Sequence, residues 1–176
     1  QWLMPKEVPK KSFERDKASS EGIRGKASSE GIIASSSTST PLEADFAALR
    51  KLRDDDASGA LKEFFGDGED PREWKYQYGN DVTVKDGRVT ELSLCGCRNL
   101  TALPAAIGEL KALTTLNLDG CKSLVELPDA IGRLGALTKL SLYKCSSLAA
   151  LPAAIGGLKA LTELALNGCP SLVELP

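Results

Sequence analysis

The stretch Leu113-x-x-Leu116-x-Leu118-x-x-Cys121-x-x-Leu124-x-x-Leu127-Pro128-x-x-Ile131-Gly132-x-Leu134 decides the fold. Twenty-four residues later it recurs as Leu137, Leu140, Leu142, Cys145, Leu148, Leu151, Pro152, Ile155, Gly156 and Leu158. The preceding unit has Val89, Leu92, Leu94, Cys97, Leu100, Leu103, Pro104, Ile107, Gly108 and Leu110. A partial fourth runs Leu161, Leu164, Leu166, Cys169, Leu172, Leu175 and Pro176. A fixed period of this length marks an array of stacked supersecondary units, each unable to bury its apolar face alone.

The spacing within a unit predicts its shape. Leu116 and Leu118 share one face of a strand while Asn117 points the other way. The chain then turns, and Cys121 and Leu124 re-enter the core. Leu127, Ile131 and Leu134 fill the far side as a short helical turn opened by Pro128. Stacking the units about 4.8 Å apart makes a parallel sheet and a continuous core. About three units suffice for a stable array. The expected fold class is therefore α/β. A parallel β-sheet lines the concave face of a solenoid, with short helical or 3-10 turns on the convex face. Leu172, Leu175 and the sheet edge would face water after Pro176, where a solenoid needs a polar cap, so the array is expected to continue in a longer parent protein.

Residues 89–176 resemble the leucine-rich repeat family in its Cys-x-x-Leu form, with Leu-Pro-x-x-Ile-Gly on the far side. The resemblance implies that Cys97, Cys121, Cys145 and Cys169 face inward and satisfy backbone groups of the loops. The wording from Gly120 to Pro128 is similar to repeats of plant nucleotide-binding resistance proteins. It is similar also to algal proteins that join such repeats to a Ras-like (ROCO-type) GTPase domain.

The rest of the chain divides in two. Residues 1–41 are rich in Ser, Lys and Glu, and Lys17-Ala18-Ser19-Ser20-Glu21-Gly22-Ile23 recurs from Lys26 to Ile32. This composition buries too little apolar surface to offset the entropy of ordering, which predicts a disordered tail or linker. Residues 42–88 read as a small helical amino-terminal capping unit. Phe46, Leu49 and Leu52 suit one helix face behind an Asp45 N-cap. Leu61, Phe64 and Phe65 suit a second short helix, ending at the Gly66-Asp67-Gly68 turn. Trp74, Tyr76 and Tyr78 follow. Val82-Thr83-Val84 alternates as a strand, and Asp86-Gly87 turns the chain into Arg88-Val89. The pattern Trp74…Gly79…Val82…Asp86-Gly87-Arg88-Val89 resembles the amino-terminal cap of plant and algal leucine-rich repeat proteins, without the paired cysteines common in secreted ones.

Composition excludes several functions. The chain of 176 residues has 22 Lys+Arg against 24 Asp+Glu, so nothing favours nucleic acid or an anionic membrane as partner. It has no His, which removes His triads, His acid–base chemistry and His metal ligands. No apolar run approaches the roughly 20 residues of a membrane span. Four thiols in a straight ladder do not converge on one metal ion, and reduced thiols favour the cytosol. Extracellular placement stays open because the chain opens with Gln1. Cys95, at an outward strand position, is the thiol expected to react. Asp54-x-Asp56-x-Ser58-Gly59 mimics the start of a calcium loop, but Phe65 stands where the bidentate Glu belongs, leaving a solvated loop as the expectation. Asn99-Leu100-Thr101 is a glycosylation sequon. No catalytic, cofactor-binding or metal residue is assigned.

Function is expected on the outward strand positions: Glu91, Ser93 and Cys95; Thr115, Asn117 and Asp119; Lys139, Ser141 and Tyr143; Glu163, Ala165 and Asn167; with Lys144 just beyond the third strand. These columns vary while the core columns do not. Tyr143 is the preferred anchor, with Lys139, Lys144 and Asp119 orienting an ionic partner. Four such strands cover roughly 300 Å², short of the about 800 Å² per partner of a standard interface. The expectation is a monomeric, non-catalytic protein-interaction module of a larger intracellular signalling or immune-type protein, cytoplasmic, needing no cofactor. The alternative is the ligand-sensing segment of an enzyme, a ROCO-type GTPase or receptor-like kinase, whose catalytic domain lies elsewhere. A third possibility is a free-standing scaffold for small GTPases or phosphatases.

Overall fold

A computed structural model describes residues 40–74 and 82–176. The chain divides into two units, Gln1–Ser36 and Ser37–Pro176. The first lies outside the described residues, as do Tyr76, Tyr78 and Gly79.

Helix α1 spans Pro41–Asp54. Thr40 is its N-cap, its hydroxyl accepting from Glu43 N at 3.2 Å, and Pro41 takes the first turn, where a missing N–H costs nothing. The N-cap is thus not Asp45, which lies one turn inside and is buried. Phe46, Leu49 and Leu52 form the buried stripe as the spacing requires.

Helix α2, Ala60–Phe65, is short and needs help at its start. Asp56 supplies it, accepting from Ser58 N at 3.0 Å and Leu61 N at 2.8 Å. This carboxylate is only 8% exposed, so the calcium-like stretch is not a solvated loop but a helix cap. The Gly66–Gly68 turn is closed by Arg53, whose guanidinium donates to Gly68 O at 2.6 Å and Gly66 O at 3.3 Å. Trp74 Nε1 donates to the same Gly68 carbonyl at 2.7 Å, and its ring lies 4.5 Å from that of Phe65.

Strands β1 (Val82–Lys85) and β2 (Arg88–Ser93) form an antiparallel hairpin. Both residues of its turn have positive φ, Asp86 at 50° and Gly87 at 69°, the geometry that suits the right-handed twist of the strands. Strands β3 (Thr115–Asn117), β4 (Lys139–Ser141) and β5 (Glu163–Ala165) add in parallel, in the order β1-β2-β3-β4-β5. Register follows the period: Leu92 pairs with Leu116, Leu116 with Leu140, and Leu140 with Leu164. The sheet therefore has five strands rather than four.

Opposite the sheet stand three 3-10 turns, Ala105–Glu109, Asp129–Arg133 and Ala153–Gly157, each begun by the proline of Leu-Pro. The Gly of the first two Ile-Gly pairs permits close stacking. A Cβ on Gly108 would sit 2.6 Å from Ala130 O, and one on Gly132 equally close to Ala154 O. Leu113, Leu116, Leu118, Leu124, Ile131 and Leu134 are fully buried between sheet and turns. In the last coil Leu164 and Leu175 are exposed.

Candidate functional site: the outward face of the sheet

Three ladders hold the coils in register and so position the face. In the first, each cysteine donates to a carbonyl of the preceding coil: Cys121 Sγ to Leu94 O at 3.3 Å, Cys145 Sγ to Leu118 O at 3.1 Å and Cys169 Sγ to Leu142 O at 3.0 Å. Cys97 reaches Ala60 O at 3.8 Å, tying the first coil to α2. Burial pushes the Cys97 thiol up to about 12 and Cys145 to about 11, so both remain S–H donors at neutral pH. The second ladder is Thr114, Thr138 and Thr162, each hydroxyl donating to the Thr carbonyl one coil back at 2.9, 2.9 and 3.1 Å. The third is backbone, with Ser123 N on Arg98 O and Ser147 N on Lys122 O, both at 3.2 Å.

The outward side chains stand on this frame. Between β3 and β5 they line a shallow groove of about 480 Å³ with Thr115, Asn117, Asp119, Lys139, Ser141 and Glu163 on its walls. Asp119 accepts from Tyr143 N at 2.9 Å and from the Ser141 hydroxyl. Asn117 Oδ1 accepts from Asp119 N at 2.9 Å. Lys139 Nζ pairs with Glu163 Oε1 at 2.8 Å, both side chains being exposed. At the rim Lys144 Nζ lies 4.8 Å from the centre of the Tyr143 ring. Tyr143 is 42% exposed.

The family model described as Leucine Rich Repeat matches residues 112–134, the complete coil that carries β3. The 24-residue ladder spacing runs on both sides of that match. Residues 112–134 are a leucine-rich repeat.

Among solved structures the chain is similar to the crystal structure of PEPR1-AtPEP1, at 21% identity and a TM-score of 0.29, covering 69% of this chain. It spans 24% of that chain's length. No curated protein matches it.

The sites expected from the sequence fall into three groups. Asn117, Asp119 and Ser141 are brought together but bonded to one another and to the backbone, so they shape the groove floor. Glu91 is withdrawn from the free face. Strand β1 lies beside it, Lys85 Nζ donates to its carboxylate at 2.8 Å and the Thr83 hydroxyl at 3.2 Å. The Lys85 bond, then that from Thr83, holds the Glu91 carboxyl below its ordinary value. Thr115, Lys139, Tyr143, Lys144, Glu163 and Asn167 present surface to solvent, and Ser93 is half-buried on β2.

Cys95 is half-buried, and so is Cys169, so two thiols rather than one are partly accessible. Desolvation, then the charge of Asp119, raises Cys95 above its ordinary value, so its position does not activate it. Asn99 and Thr101 of the sequon are exposed with Leu100 buried between them. Among the described residues no group of three or more His, Cys, Asp or Glu is placed to hold a metal ion, and no helix is long and apolar enough to cross a membrane.

The Thr ladder and the buried Asp45 escape a reading by motif. The threonines were visible only as a repeated residue one position before each strand.

Proposed function

We propose that the chain is a non-catalytic protein-interaction module of a larger intracellular signalling or immune-type protein, taking a protein partner on the outward face of its sheet. The observation that carries this reading is the contrast between columns. Leu92, Leu116 and Leu140 are one residue type at one depth, whereas Glu91, Thr115, Lys139 and Glu163 beside them differ in charge and size. The uniform column builds the scaffold and leaves the outward column free to carry the charge and shape that a partner reads. In this reading the coils form a solenoid whose concave face is this sheet. Helices α1 and α2 and the β1–β2 hairpin act as its amino-terminal cap. The fifth strand enlarges the face by about a quarter over four strands 4.8 Å apart, which still leaves it short of a standard interface. Binding to this segment alone is accordingly weak.

A photo-crosslinking side chain at Thr115, in the groove, tests the reading against the same group at Ala153, which is exposed on the opposite side. Partner adducts are expected from Thr115. Adducts from Ala153 with none from Thr115 would place the interface on the wrong side for this proposal.

A further inference from the structure

The turn that leaves each strand has one residue with positive φ. In three coils it is glycine, Gly96 at 79°, Gly120 at 68° and Gly168 at 80°. In the third coil it is Lys144 at 59°. The backbone duty is the same throughout: Gly96 N donates to Asp119 O, Gly120 N to Tyr143 O and Lys144 N to Asn167 O, at 2.7, 2.7 and 2.8 Å. A lysine is thus held in a conformation that L side chains disfavour, at a position where glycine serves the fold equally well. Its side chain is exposed rather than part of the core. It lies along the exposed Tyr143 ring instead.

Lys144 does not stand alone. Arg98 and Lys122 occupy the residue after the ladder cysteine in the first and second coils, and both are exposed. The first three coils are hydrogen-bonded through the Arg98 and Lys122 carbonyls, which accept from Ser123 N, and from Ser147 N and the Ser146 hydroxyl; Lys144 stands in that third-coil turn, two residues before Ser146, so one cation comes from each of three consecutive coils at this rim. Among the described residues none of the three has a carboxylate within ion-pair distance. The nearby acids are otherwise engaged or set apart. Asp119 accepts from Ser141 and from Tyr143 N, Glu163 is paired with Lys139, and Glu63 only shares a small groove with Arg98. The groove lining carries Lys139 against Asp119 and Glu163, while the rim carries three cations with no ion-pair partner among the described residues, beside an exposed aromatic.

We infer that the rim formed by Arg98, Lys122 and Lys144, with Tyr143, is a docking strip for an acidic peptide segment of the partner. Carboxylates spaced along an extended segment face the three cations, and one apolar or aromatic side chain packs on Tyr143. The inference rests on the outward-face reading and narrows it to one edge and one charge. The cations supply salt-sensitive attraction and fast association, and the aromatic supplies the anchor.

The test titrates a fluorescent ten-residue glutamate peptide carrying a central Trp against the chain at low salt, with a lysine-based peptide and a serine-based peptide of the same length as controls. The glutamate peptide is expected to bind at least tenfold tighter than either control. Raising salt to 0.5 M and the double charge reversal Lys122→Glu/Lys144→Glu are each expected to weaken it about tenfold. Lys144→Gly is expected to weaken it several-fold without lowering the melting temperature, because glycine accepts the positive φ; this separates binding from folding. Thr115→Trp, which fills the groove but leaves the rim, is expected to have little effect on this peptide. Binding that survives the charge reversal but is lost in Thr115→Trp overturns the rim assignment and leaves the outward-face reading standing. Equal binding of all three peptides, or none up to 1 mM, overturns the acidic-segment inference, while crosslinking from Thr115 decides the broader reading separately.

Discussion

The Asp45 carboxylate grips Arg88 across 43 residues of sequence, Oδ2 accepting from Nε at 2.8 Å and Oδ1 from Nη2 at 3.0 Å. The same Oδ2 accepts from Val89 N at 2.8 Å. One buried carboxylate, 2% exposed, thereby joins α1 to the first residues of β2. Asp45→Ala strands a buried N–H and an arginine head. It is expected to lower stability by about 2–4 kcal/mol in urea unfolding. A loss below about 0.5 kcal/mol would mean the helix and the sheet do not depend on this contact.

The stacking glycines give a paired prediction. Gly132→Ala drives a methyl into Ala154 O and is expected to cost about 1–3 kcal/mol. Gly156 has nothing within 4 Å of an added Cβ, so Gly156→Ala is expected to stay within about 0.5 kcal/mol of the parent. Equal melting temperatures for the two variants would contradict the packing.

Facing is tested by neighbours. Leu142 is fully buried and Tyr143 exposed. Leu142→Ala is expected to cost about 2–5 kcal/mol through its cavity, and Tyr143→Ala to leave stability unchanged while weakening partner binding. The reverse pattern in thermal unfolding and binding isotherms would invert the sheet.

The thiols predict an alkaline limit. Burial raises Cys97 to about 12 and Cys145 to about 11 from an ordinary 9.0. An unfolded chain therefore loses these protons first. Stability is complete below about pH 9 and falls as pH rises toward those folded values. Melting temperature measured between pH 7 and 11 is expected to drop above 9, less steeply in Cys145→Ser. A flat profile would show that the ladder thiols are not desolvated.

Accessibility separates the thiols in a second assay. Cys95 and Cys169 are half-buried, while Cys97, Cys121 and Cys145 are buried. A disulfide reagent at pH 8 is expected to modify two thiols quickly and three only on unfolding. Five equal rates would displace the cysteine column from the core.

The repeat was legible because it is local physics copied at fixed spacing. Leu116, Leu118 and Cys121 are each buried like the residues 24 positions to either side, so one column reports one depth. The 3-10 turns behind Pro128 and the hairpin turn at Asp86-Gly87 were legible for the same reason, since proline and positive-φ pairs act within a few residues.

What only the tertiary structure decided lies in contacts without local signature. Asp45 reads as a helix cap until Arg88 arrives from 43 residues away. Asp56 is different, because its partners Ser58 N and Leu61 N lie within five residues, and a capping reading of the sequence could have found them. Glu91 has the right alternation for a free face, yet β1 folds beside it and takes its charge. The period shows that a residue points outward, because side-chain direction is set by backbone geometry. Whether that residue is then available depends on which charges the stacked coils bring alongside, and that sum is made only in three dimensions.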